Sequence, residues 1–149
     1  MIDTHTHLNF PDFKDDRPEV LTRAEQSGVK YIINVGTSLE TSRQSVELSR
    51  RYKNIYATVG IHPHDAENVK ESDWSEFEKL VEQDKVVAVG EIGLDFYKKI
   101  SPPRSGGVQE KVFIKQLEIA LRKNKPVVIH SREAHQKCLE IIKKITCSE

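Results

Sequence analysis

The chain has 149 residues, enough to bury one core, so length by itself points to a single domain. Its 23 Lys and Arg balance 23 Asp and Glu, which excludes the broadly basic surface of a non-specific nucleic-acid binder and makes any affinity for a polyanion local. With 37% hydrophobic and 31% charged residues, no run of transmembrane length and two cysteines without CxxC spacing, the composition argues against a membrane protein, a disulfide framework and a zinc knuckle.

The start MIDTHTHL carries neither a basic leader nor an apolar signal core, so the expected location is the cytoplasm, with Cys138 and Cys147 as reduced thiols. The first apolar run, Met1 to His5, reads as a strand and is followed by a helical pattern on Val20, Leu21 and Ala24 that Gly28 ends. A second strand runs from Tyr31 to Gly36, and a helix containing Ser45, Val46, Leu48 and Ser49 follows, with Thr37 or Ser38 at its N-cap. The third strand spans Ile55 to His62, and its helix carries Phe77, Leu80 and Val81 behind a Ser72 cap. The fourth strand, Val86 to Leu94, leads into the longest connection, Lys98 to Gly107, where Pro102, Pro103, Gly106 and Gly107 predict a mobile loop. Val112, Phe113, Gln116, Leu117, Ile119 and Ala120 form the strongest helical stripe. A fifth strand, Pro126 to His130, and a fifth helix on Cys138, Leu139, Ile141, Ile142 and Ile145 complete the pattern.

The strands are short, β-branched and nearly unalternating, as expected where both faces are covered. Strict strand–helix alternation implies parallel strands with right-handed crossovers, which suits an open doubly wound α/β sheet or a (β/α)8 barrel, and alternation alone does not choose. Eight such units occupy about 250 residues. Five are present here.

The metal-capable residues fall at the C-terminal ends of these strands, the edge where parallel α/β proteins gather ligands. His5 and His7 end the first strand, His62 and His64 follow the third, Glu91 ends the fourth and His130 the fifth. In the His5-Thr6-His7 pair, strand periodicity puts both imidazoles on one face, where they can chelate a cation, although a bare HxH also arises by chance. Asp3 suits either a partner to a ligand imidazole or a turn carboxylate. Glu91 follows the apolar stretch Val86 to Gly90, where an unpaired charge is costly, so it calls for a cation or for a salt bridge. His130 repeats that placement after Val127, Val128 and Ile129. In Gly60-Ile61-His62-Pro63-His64, proline stiffens the turn, and His62 and His64 read as substrate-facing groups that donate to a phosphate oxygen or steady a water, or as a rigid structural turn. Arg132 suits a two-point contact with phosphate, or plain solvation at a helix start. His135 lies in the following helix, away from this edge, and is assigned no chemistry.

Together the blocks Ile2 to Leu8, Asn34 to Thr37, Gly60 to His64, Gly90 to Phe96 and Val128 to Arg132 resemble, in order and along the whole chain, the TatD deoxyribonucleases of the amidohydrolase superfamily. The resemblance implies a (β/α)8 TIM barrel, here about five parallel β/α units, and two-metal hydrolysis of DNA phosphodiester bonds, typically as an exonuclease. It also implies that His5 and His7 hold one divalent ion, that Glu91 bridges two, and that His130 helps hold the second; Zn, Mn or Mg suits such donors. The family pattern continues with a ligand histidine after a sixth strand and an aspartate after an eighth, beyond Glu149. The expectation is therefore one C-terminally incomplete hydrolase domain over residues 1–149, with weak metal binding and poor turnover in isolation. Pro102 to Gly107 departs from the family as a longer, more glycine-rich loop. Two other readings remain open: a small-molecule ester, lactone or amide hydrolase of the same superfamily, and a non-catalytic barrel fragment that pairs its sheet edges with another copy or a complementary chain.

Overall fold

The β-branched runs become five strands, β1 (Ile2–Thr6), β2 (Tyr31–Val35), β3 (Ile55–Val59), β4 (Val86–Asp95) and β5 (Val127–Arg132), in a computed structural model that describes residues 1–97 and 106–147. Between and after them lie α1 (Arg17–Gln26), α2 (Leu39–Arg51), α3 (Asp73–Val81), α4 (Gly106–Arg122) and α5 (His135–Thr146), with two short 3-10 turns at Pro11–Phe13 and Pro63–Asn68. Every neighbouring pair of strands is parallel and the order is β1-β2-β3-β4-β5. A doubly wound sheet reverses its strand order at a switch point, and none occurs here. Right-handed crossovers in unbroken order carry all the helices to one face, so the sheet curls as part of a (β/α)8 barrel.

The main core lies between β3, β4 and the helices α3, α4 and α5, with Phe77 and Phe113 fully buried beside Val59, Val89, Ile92 and Leu94. A smaller cluster of Leu8, Ile32, Leu48 and Ile55 sits toward α1, which itself buries no residue. Strands β1 and β5 stand at the sheet's edges and are far more exposed than β2, β3 and β4.

Ser38, rather than Thr37, caps α2: its hydroxyl accepts from the Thr41 amide, while Thr41 Oγ1 accepts from the Ser38 amide at 2.8 Å. This reciprocal box satisfies two otherwise unpaired backbone donors. Ser38→Ala is expected to lower unfolding stability by about 1 kcal/mol in urea titrations, with no change in the denaturant slope.

Several boundaries shift from those expected. Strand β3 ends at Val59, because the chain bends at Gly60 toward the 3-10 turn that begins at Pro63. Ser72 occupies the N-cap of α3 without a side-chain capping bond. Gly106 and Gly107 belong to the first turn of α4 rather than to the preceding loop. Lys98 to Ser105, including Pro102 and Pro103, lies outside the described residues. His135 is the first residue of α5, and no helix among the described residues is long and apolar enough to cross a membrane.

Candidate metal centre

Four strand ends bring the predicted residues together. Leu8, directly after the His5 and His7 segment, is fixed by Asn34 of β2, whose Oδ1 accepts from the Leu8 amide at 2.6 Å and whose Nδ2 donates to Asn9 and Ser45. The His62 and His64 segment is held from α4, where the Gln116 side chain accepts from the Ile61 amide at 2.7 Å and donates to the Ile61 carbonyl at 3.0 Å. Glu91 projects where the β4–β5 register slips between Val89 and Ile92, a local irregularity of the kind that re-aims a side chain.

Glu91 is the common element. Its Oε2 lies 3.5 Å from His5 Nε2 and its Oε1 lies 3.2 Å from His130 Nδ1. Two sets of potential ligands result, His5 with His7 and Glu91, and His62 with Glu91 and His130; within each set the ligand atoms lie within 4.8 Å of one another. The His130 hydrogen bond holds the Glu91 carboxyl below the usual carboxylate range against the opposing effect of burial, and the same bond raises His130. Burial, reinforced by repulsion from His130, pushes His62 down to about 4, so its imidazole is neutral near neutral pH.

Hydrogen-bond partners decide which ring nitrogen is available. His7 Nδ1 lies 3.1 Å from the Val35 carbonyl, which can only accept, so Nδ1 carries the proton and Nε2 is left with a free lone pair. The ring is steadied by stacking on Phe10 at 4.6 Å. His62 is the reverse case. Its Nδ1 accepts from the His64 amide at 3.1 Å, so the neutral ring carries its proton on Nε2 and presents a donor. In the first set two imidazoles and a carboxylate fit a divalent cation, and the His7 tautomer is the one that ligation requires.

Arg132 lies at the rim with its guanidinium 3.7 Å above the Tyr97 ring. Asp3, within β1, accepts from the His5 amide at 3.2 Å, a local backbone contact. Asp95 was not singled out from the sequence, yet its side chain is fully buried and contacts both His64 and His130. The available signal was its position at the end of an apolar strand, four residues beyond Glu91.

The sequence profile of a family described as TatD related DNase matches residues 2–148. Among curated proteins, the chain is 37% identical over 142 residues to the 3'-5' ssDNA/RNA exonuclease TatD of Escherichia fergusonii, covering 95% of this chain and 54% of that protein. It is likewise 37% identical over 144 residues to the uncharacterized metal-dependent hydrolase YabD of Bacillus subtilis, covering 97% and 55%. Among solved structures, the TatD homolog YJJV of Escherichia coli K12 superposes with a TM-score of 0.88 at 35% identity, over 97% of this chain and 56% of that one. The chain thus spans about half the length of these relatives.

Proposed function

Because this chain belongs to the TatD related DNase family, we propose that it serves a metal-dependent hydrolase that cleaves DNA phosphodiester bonds as an exonuclease, working from 3' ends of single strands. The observation that carries this reading is the position of Glu91, shared between the His5 and His7 pair on one side and His130 on the other. His5, His7 and Glu91 would hold one divalent ion, and Glu91 with His130 a second; imidazole donors favour Zn or Mn, and the carboxylate admits Mg. Such ions supply Lewis-acid neutralisation of phosphoryl charge and activation of water, which explains how a chain of zero net charge can act on a polyanion.

The chain's own residues do the rest. His62, neutral and protonated on Nε2, donates to a phosphate oxygen or holds a water, in keeping with a substrate-facing role rather than ligation. His64 lies on the same turn, its ring 4.4 Å from that of His62, with its Nε2 engaged by the buried Asp95 carboxylate at 2.7 Å. Arg132, backed by the Tyr97 ring, offers a planar fork for the next phosphate along the strand.

The test is hydrolysis of a 5'-labelled single-stranded oligonucleotide with Mn, Mg or Zn. Stepwise shortening that a chelator abolishes is expected. Turnover of simple esters, lactones or amides without any oligonucleotide cleavage would replace this reading with the small-molecule hydrolase.

A second reading has its own observation. Ile2 on β1 is 55% exposed and Val127 on β5 36%, both on edge strands, and beside β5 a groove of about 130 Å³ is lined by Leu117, Leu121, Pro126, Ile142 and Ile145. Open strand edges with apolar flanks pair readily with another chain, here a second copy or a complementary fragment. Light scattering is expected to show a concentration-dependent species larger than one chain, and a monomer at all concentrations would remove this reading.

A further inference from the structure

Between the 3-10 turn that carries His64, the start of α3 and the first turns of α4 lies a cleft of about 320 Å³, within the size range of small-ligand sites. Val69 and Val112 line it together with Trp74, which is largely buried and packs edge-on against Phe77 at 5.6 Å. Lys70 lines it from one side, and Lys111 and Lys115, one helical turn apart on α4, from the other. Lysines elsewhere have work to do: Lys85 and Lys125 donate to main-chain carbonyls, and Lys123 and Lys137 pair with Glu82 and Glu110. Among the described residues the side chains of Lys70, Lys111 and Lys115 have no such partner, although Glu67 and Glu71 line the same cleft. Three cations against two carboxylates leave the cleft positive in a chain whose net charge is zero. Its α4 wall is also pinned to the candidate metal centre. Gln109 and Gln116 of α4 each hold the main chain of a strand exit by two hydrogen bonds, Gln109 at Asp95 and Gln116 at Ile61.

We propose that this cleft holds a nucleotide of a single-stranded nucleic acid, with its phosphates on Lys70, Lys111 and Lys115 and its base against the apolar lining that includes Trp74. Sites for single strands combine these two features, because every linkage carries a charge and every base an apolar face. A bare anion would leave the apolar lining unused, and an apolar ligand would leave the lysines without a counter-charge.

The position of that nucleotide along the strand rests on the proposed function. With the 3' end at the metal centre, the cleft beside the His64 turn takes a nucleotide on the 5' side of the bond to be cleaved. The affinity of the cleft for a single strand stands on its own lining and needs no metal.

The experiment is a titration of the chain with oligothymidylate of about 12 nucleotides in the presence of a chelator, which removes hydrolysis and any contribution from metal. Anisotropy of a 5'-labelled copy reads the affinity, and with an unlabelled copy the emission of Trp74, the only tryptophan of the chain, reads occupancy of the cleft. Saturable binding with a changed Trp74 emission is expected. The double variant Lys111→Gln, Lys115→Gln is expected to bind more weakly, its slope of log affinity against log salt reduced by about 0.7 for each lysine removed. Lys79→Gln with Lys143→Gln, two exposed lysines outside the cleft, makes the same change in net charge and is expected to bind as the wild type does. No binding by the wild type, an unchanged Trp74 emission at saturation, wild-type affinity in the cleft variant or an equal loss in the control variant each overturns the proposal. Absence of hydrolysis once metal is added would count against the proposed function and leave the binding results, and so this inference, intact.

Discussion

Replacing Glu91 with alanine is expected to remove both divalent ions together and to end any metal-dependent hydrolysis. No other side chain belongs to both candidate ligand sets, and its two oxygens face His5 and His130 separately. Losing the partner behind a ligand typically lowers metal affinity about 10–100-fold, and losing a shared ligand exceeds that. His5→Ala, by contrast, is expected to weaken only the ion held with His7. Calorimetric titration with Mn²⁺ or Zn²⁺ reads both variants, with circular dichroism checking that the fold persists. Two-ion binding retained by Glu91→Ala would show that the carboxylate is a salt-bridge partner of the histidines and not a ligand.

The second large effect concerns a residue with no side chain. Gly93 sits in β4 at φ +145°, and a Cβ placed there would stand 1.9 Å from the His130 carbonyl oxygen. That oxygen belongs to the backbone of β5, so it cannot rotate away, and relief would require parting β4 from β5 just below Glu91 and His130. Gly93→Ala is expected to destabilise the chain by about 3 kcal/mol or more, combining a strained dihedral with overpacking in the sheet. Gly28 supplies the control. It too has a left-handed φ, +86°, but a Cβ there meets nothing within 4 Å, so Gly28→Ala should cost only the local backbone strain of about 1–2 kcal/mol. Urea unfolding of the two variants side by side decides the point, and equal losses would refute the packing argument.

Both effects show how unevenly the site can be read along the chain. His5, His7, Glu91 and His130 could be singled out as candidates because each falls at the end of a short run that reads as a strand, where a polar residue calls for a partner or an ion. The α2 cap, narrowed to Thr37 or Ser38, and the Gly28 terminator were legible because each acts within one helical turn. Asp95 lies in an equally informative place but has no meaning until His64 and His130 arrive from β3 and β5. Gln109 and Gln116 were harder still. Gln116 falls within the apolar stripe of α4, yet both side chains are buried and form two-point clamps on the Asp95 and Ile61 backbones.

By itself the sequence determined the alternation of five strands with five helices, the parallel character of the sheet and the edge at which the ionisable residues gather, because these follow from residue periodicity and the handedness of short connections. The family resemblance implied a barrel and a shared Glu91; the tertiary structure supplied the unbroken strand order, put Glu91 within reach of both groups of histidines, and alone decided which nitrogen of His7 and His62 carries the proton. The physical reason is range: periodicity is set by neighbours a few residues apart, whereas strand order, the shared position of Glu91 and the His7 tautomer depend on contacts between residues dozens of positions apart, and no local pattern encodes those.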